Sequence, residues 1–324
     1  MGAGTLIGAR LLQYAGGLVL FGTPLFFLYA TRPGAEALTR WSWERRLLLA
    51  AAATALIGAL VWVMAETAVM SGDSADAINP AALWTVLSET RFGLACLFRI
   101  ALLALSVSVC LAVSRRKMFW WAQVLLGGAI SLSFAWTGHG AAQIGRTAGI
   151  HLVGDLLHLL AAGSWIGALV SLSTLGVRAR RSGAIEDAAV LGLGLRAFSA
   201  IGVWIVAVLI FSGIINSIFL LDFVHWREAV NSQYGRVLFM KLALFGAMLC
   251  LAALNRYRTG PKLHDALQRR TSLAAAVQAA RSILSIETLM AALVLLAVSV
   301  LGTLAPLDVQ TDNLGTQHEP PPLT

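Results

Sequence analysis

From Leu47 to Met70 the chain reads LLLAAAATALIGALVWVMAETAVM, with one charged side chain, Glu66, towards its far end. A bilayer core of about 30 Å takes about 20 apolar residues in helical form, because backbone N–H and C=O groups in lipid must be satisfied within the segment itself. This run therefore reads as a transmembrane helix. Seven more runs pass the same test, and the expected spans are 6–30, 47–70, 90–113, 119–136, 150–175, 197–221, 237–254 and 283–304. The first is longer than a signal-peptide core, shows no clear small-x-small cleavage site and leads into the basic segment Arg32 to Arg46, so it reads as a retained helix.

Composition agrees with the runs. Of 324 residues 58% are hydrophobic and 12% charged, against roughly 45 to 50% and 25% in soluble proteins. A soluble fold and a disordered chain are both excluded. The net charge of +8 does not imply nucleic-acid binding, because the basic residues lie between apolar runs instead of on one water-facing surface. Cys96, Cys110 and Cys250 each sit inside an apolar run, which leaves neither a disulfide framework nor a CxxC zinc site.

Lys and Arg in short connections orient such a protein. The connections after spans one, three, five and seven hold 17 basic residues, among them Arg45, Arg116, Arg180, Arg256 and Lys262; the opposite side holds five, namely Arg10, Arg91, Arg146, Arg227 and Arg236. The expectation is an all-α, polytopic membrane helix bundle with eight transmembrane helices and both termini periplasmic. It forms one transmembrane domain over 1–324, ending in a flexible tail at 306–324. The inward connection from Asn255 to Ser282 contains an Ala-rich stretch that is expected to lie at the interface as a short basic helix.

An ionisable group inside a span costs at least about 2.5 to 3.5 kcal/mol, so it should face the bundle interior with a partner or a task. Glu66, Arg99, Asp155, Lys241 and Glu287 are such groups, joined by His151, His158 and the neutral Asn216. At about 1.5 Å per residue, all except Glu287 fall in the outer half of their spans. His151, Asp155 and His158, at offsets of four and seven, form one stripe on span five, with His139 at the outer mouth in Thr137-Gly138-His139-Gly140. Imidazole suits copper, zinc, iron and nickel, and a carboxylate compensates charge or orients a histidine. His151 and His158 lie about 10.5 Å apart along the axis, so the stripe suggests two stations instead of one ion site.

Structural roles stand beside these. The trio could be a buried polar knot between helices, His139 a loop-lining group, and Glu287 a partner for Arg281 or Arg256. Arg99 and Lys241 are expected to neutralise Glu66 and Asp155 in a pairing the sequence does not assign. Met70, a thioether of the kind that favours Cu(I), shares a face with Glu66 at the end of span two and is a candidate capture ligand; filling space is its alternative. The three thiols read as buried and inert, with Cys96 also a candidate soft ligand, and His225 in the outer loop reads as a solvated side chain or an outer capture group.

Taken in order, several segments resemble the copper resistance D (CopD) family of bacterial inner-membrane proteins. They are Thr137-Gly-His139; His151 through Asp155 and His158 to Trp165-Ile-Gly167; Arg196-Ala-Phe198-Ser199; Gly213-Ile-Ile-Asn216; Tyr234-Gly235-Arg236 to Lys241; Asn255-Arg256; Glu287; and Gly302-Thr303-Leu-Ala-Pro306. Residues before Lys117 share only hydropathy and helix count. The resemblance implies an eight-helix, multi-pass protein of the bacterial inner (plasma) membrane that handles copper ions, moving them from periplasm towards cytoplasm or serving copper handling in the periplasm. A small periplasmic copper-binding protein of the CopC type would act with it in trans. On that view Met70, His139 and His225 capture, His151, Asp155 and His158 relay, Glu66 compensates charge, and the protein is a transporter and not an enzyme. A b-type haem oxidoreductase is the alternative, needing two imidazoles on different helices at matching depth, for which His139 and His151 come nearest. A copper-binding assembly factor that moves nothing would use the same residues.

Overall fold

The computed structural model describes residues 2–30, 41–113, 116–137, 146–220, 232–269 and 271–304. Long helices dominate and no strand occurs among them: α1 (Ala3–Ala30), α2 (Trp41–Ser71), the short α3 (Pro80–Glu89), α4 (Arg91–Ala112), α5 (Arg116–Leu132), α6 (Arg146–Ser182), α7 (Ile185–Leu220), α8 (Gln233–Leu254), α9 (Gly260–Arg269) and α10 (Leu273–Leu301). Eight segments are long and apolar enough to cross a membrane, one for each expected span.

Their ends differ from the sequence expectation in three places. The connection expected after span five is almost wholly helical: α6 runs to Ser182, α7 starts at Ile185, and the turn sits on Gly183 at φ 63°, in the left-handed region that favours glycine. Arg178 and Asp187 face each other across it at 3.9 Å. Second, the Ala-rich stretch is not a separate interfacial helix but the first turns of α10; the short basic helix is α9, reached through a π-turn at Asn255–Thr259. Third, the connection after α2 builds a 3₁₀ turn (Ser74–Ile78) and α3, each started by an Asx cap in which Asp73 or Asn79 accepts from the backbone N–H two residues on.

Apolar burial in lipid gives helices little reason to associate, so close backbone packing at small residues does the holding. α1 is the central post, packed against α2, α5 and α6. Where α1 meets α6, a Cβ on Gly22 would lie 1.8 Å from the Gly163 carbonyl oxygen, and one on Gly167 2.2 Å from the Gly22 carbonyl carbon. These helices touch backbone to backbone, and the Thr23 hydroxyl donates to the Gly167 carbonyl at 3.4 Å. Around that contact lies the core, with Phe26, Phe27, Leu48, Phe119, Trp165, Leu169 and Leu172. α8 stands at the edge, leaning chiefly on α10.

Candidate functional site

Polar side chains gather at the end of the bundle where α1 begins and α2 ends. Each lies about a dozen residues or fewer from its helix end, hence within about 18 Å of that face. On α6, His151 is 1% exposed and its Nε2 lies 3.7 Å from Asp155 Oδ2, the i,i+4 contact expected of one helix face. Asn216 of α7 donates through Nδ2 to Asp155 Oδ1 at 2.7 Å. Gly154 allows this approach, since a Cβ there would lie 2.8 Å from both Asn216 Oδ1 and Ile215 Cγ2. Lys241 of α8 acts electrostatically on Asp155. The carboxylate, 25% exposed, thus meets an imidazole of its own helix and an amide of α7, within the field of a lysine from a third helix.

One turn deeper, His158 turns to α7. Its Nδ1 lies 3.0 Å from Ser212 Oγ, and the Ser212 hydroxyl is 2.6 Å from the Val208 carbonyl. A hydroxyl has one proton, and here the carbonyl takes it. The ring Nδ1–H must therefore donate to Ser212, which leaves the Nε2 lone pair as the ring's acceptor, the form in which an imidazole binds a metal.

Arg99 occupies the other half of this polar end. It is fully buried, donates to Gln13 Oε1 and to the Ser133 hydroxyl (2.8 Å) and carbonyl (3.1 Å), and lies over the rings of Phe134 and Trp62. These oxygens and rings are neutral, and a planar fork of five donors can be satisfied in part by amide and hydroxyl oxygens. Glu66 acts electrostatically on the Cys96 thiol. Tyr14 of α1 stands between the two halves, within the fields of Arg99 and Asp155.

Other expectations are redrawn. Met70 is 54% exposed at the end of α2. Among the described residues Glu287 forms neither of the ion pairs, with Arg281 or Arg256, that stood as the alternative to a pathway role: it is 1% exposed, occupies the buried stripe Ala280, Leu284, Glu287, Ala291, Leu295 of α10, and its Oε1 has no hydrogen-bond partner. Cys96 and Cys110 are buried as expected, Cys110 accepting from Gln123 Nε2 at 3.0 Å, but Cys250 is exposed on α8. His139, His225 and the tail at 306–324 lie outside the described residues. Among the described residues no three His, Cys, Asp or Glu side chains converge on one point. Both transmembrane imidazoles described belong to α6, so the haem alternative finds no pair on two helices there.

Gln13, Tyr14, Ser133 and Ser212 were not singled out from the sequence. Gln13 carried a signal, a long polar side chain inside an apolar run. The two serines carried none, since serine is common in such helices and bonds back to its own turn.

A bundle of eight apolar spans with ionisable side chains collected inside one end defines a multi-pass membrane protein that deals with a polar or charged species. Its family follows from comparison: residues 1–150 match the copper resistance protein D-like N-terminal domain and residues 193–301 match copper resistance protein D. Copper resistance protein D of Pseudomonas syringae pv. tomato is 35% identical over 308 residues, spanning 93% of this chain and 96% of that one. The inner membrane protein YebZ of Escherichia coli is 27% identical over 307 residues, 93% of this chain and 98% of its own. The copper transport protein CutJ of Bacillus subtilis is 28% identical over 276 residues, and this chain spans 48% of its length. No solved structure matches. The chain belongs to the copper resistance protein D family and is a multi-pass inner-membrane protein. The likeness reaches the N-terminal half, where the sequence had offered only hydropathy. His151, Asp155 and His158 fall between the two matched stretches.

Proposed function

We propose that this protein handles copper ions, admitting them from the periplasmic side at Asp155 and passing them along α6 towards the cytoplasm. The observation that carries the reading is the Asp155 carboxylate, partly open, buried at its flanks, and placed between His151 on its own helix and the metal-competent ring of His158 one turn deeper. The copper in the names of two relatives supports the choice of ion. Asn216 holds one carboxylate oxygen in place, and Lys241 supplies the positive charge that Asp155 needs when no ion is present. An arriving cation takes over that role from Lys241, so entry is an exchange of counter-ions at one acid. Met70, exposed at the outer end of α2, together with His139, serves capture, and Glu66 sets the charge of the neighbouring half. Glu287, buried on α10 with a free oxygen, offers a later anionic station. A CopC-type periplasmic partner delivers the ion.

Copper uptake into proteoliposomes, read beside copper binding in detergent, tests the reading. Asp155→Asn is expected to lower uptake at least tenfold and His158→Ala to remove the deeper binding event, while Cys110→Ala leaves both near wild type. Equal behaviour of Asp155→Asn and Cys110→Ala sinks the relay. Binding without uptake in the wild type points to an assembly factor instead.

A further inference from the structure

A second cluster sits at the opposite end of the bundle, away from the ion site. The underside of α9 is apolar: Leu263 is buried, and Leu267 meets α7 at Gly192, where a Cβ would lie 3.2 Å from its Cδ1. This clamps α9 across the start of α7 and brings two arginines to one turn of that helix. Arg196 Nη2 donates to His264 Nδ1 of α9 at 2.8 Å, and Arg256, from the π-turn, donates through Nη1 to the Ser199 carbonyl. An accepting Nδ1 leaves His264 with its proton on Nε2, a further donor.

Each arginine therefore uses one of its donors to fix its position and keeps the others, and both side chains are exposed. Among the described residues neither pairs with a carboxylate, and Asp265, the acid of α9, makes no ion pair. Two guanidinium groups anchored at positions 196 and 199 of one helix, about one turn apart along it, with no ion pair to a carboxylate among the described residues, form a receptor for an anion with several oxygens. Its surroundings say where that anion comes from. Tyr257, 72% exposed, carries the Arg256 guanidinium 5.7 Å from its ring centroid, and Trp204, 74% exposed, stands five residues along α7 from Ser199, towards the bilayer core. Aromatic side chains of this kind lie at the headgroup level, with apolar helix surface below them.

We propose that Arg196, Arg256 and His264 bind the phosphate of an anionic phospholipid whose acyl chains lie along the exposed apolar side of α7 at Val203 and Trp204. Scattered basic charge that only orients the protein needs no such geometry, and this difference is testable.

The full-length protein is placed in bilayers of phosphatidylcholine with added phosphatidylglycerol, and the lipids it retains are counted by native mass spectrometry. Wild type is expected to enrich phosphatidylglycerol. Arg196→Gln with Arg256→Gln is expected to lower that preference at least about tenfold, because two charge-assisted contacts to one phosphate are lost. Lys262→Gln with Arg269→Gln, which removes the same charge from α9 outside the cluster, is expected to change it less than threefold. Equal losses in the two double variants, or no enrichment in wild type, overturn the site. Inorganic phosphate that binds the detergent-purified protein and abolishes the preference identifies a free-anion site and overturns the lipid. Should the double variant fail to insert, Arg196→Gln alone decides, with a loss of roughly fivefold expected from one charge-assisted contact, against an unchanged preference in Lys262→Gln.

Discussion

Ser212 decides how His158 can act. Its hydroxyl proton is engaged by the Val208 carbonyl at 2.6 Å, so its oxygen can only accept, and the imidazole must present Nδ1–H to it. Partners of this kind orient a ligand, and losing one costs about 10–100-fold in metal affinity. In Ser212→Ala the ring loses its acceptor and its tautomer is no longer imposed. The expected result is copper binding weakened about tenfold in a competition titration, with unfolding in detergent nearly unchanged because a serine that bonds within its own turn contributes little to the helix. An unchanged affinity would show that His158 is a packing residue. Arg99, at the same end of the bundle, is held by Gln13, Ser133 and two aromatic rings. Those contacts fix the position of a buried guanidinium, whereas the Asp155 carboxylate is 25% exposed, touched by an amide and an imidazole and within the field of Lys241.

Between helices, glycine sets the distance at which such partners meet. Gly154 lets α7 approach α6 until Asn216 reaches Asp155 at 2.7 Å; a valine would set its Cβ 2.8 Å from Asn216 Oδ1 and from Ile215. Gly154→Val is therefore expected to push the helices apart, costing about 1–3 kcal/mol of stability in denaturant unfolding and, with it, the first copper-binding step. A variant that unfolds like wild type and binds like it would show that Asn216 is not a necessary support. The same contact marks the limit of what could be read from sequence. The eight spans were legible because lipid demands a long apolar run from each crossing helix, and the His151–Asp155 contact was legible because four residues make one helical turn. Their ends were less so: α6 and α7 continue past the apolar runs as polar helix, joined across Gly183 by Arg178 and Asp187. The cross-helix partners, Ser212 for His158 and Gln13 with Ser133 for Arg99, depend on the rotation and register of neighbouring helices, which hydropathy does not encode.

The two ends of the whole bundle differ in charge, and that difference bears on the direction of function. One end carries Asp73, Asp76 and Glu89 around α3 beside Arg10, Arg91, Arg146 and Arg236, and the polar cluster lies just beneath it; the other is far more basic, with Arg45, Arg178, Arg180, Arg181, Arg196, Arg256, Arg258, Lys262 and Arg269 against Glu44, Glu186, Asp187 and Asp265. An even number of spans returns the chain to the side where it started, and the close approach of Arg10 on α1 to Gly302 after α10 places both at the less basic end. If basic connections remain cytoplasmic, the less basic end faces the periplasm, and the His151, Asp155 and His158 side chains are met first by an ion arriving from outside. Single cysteines report this directly, in a background with Cys96, Cys110 and the exposed Cys250 replaced by serine. Asp76→Cys is expected to react with a membrane-impermeant maleimide in spheroplasts, and Lys262→Cys only after the membrane is opened. The reverse pattern would turn the bundle over: the acids would face the cytoplasm, Asp155 would be loaded from inside, and the same exchange of Lys241 for a metal ion would serve export.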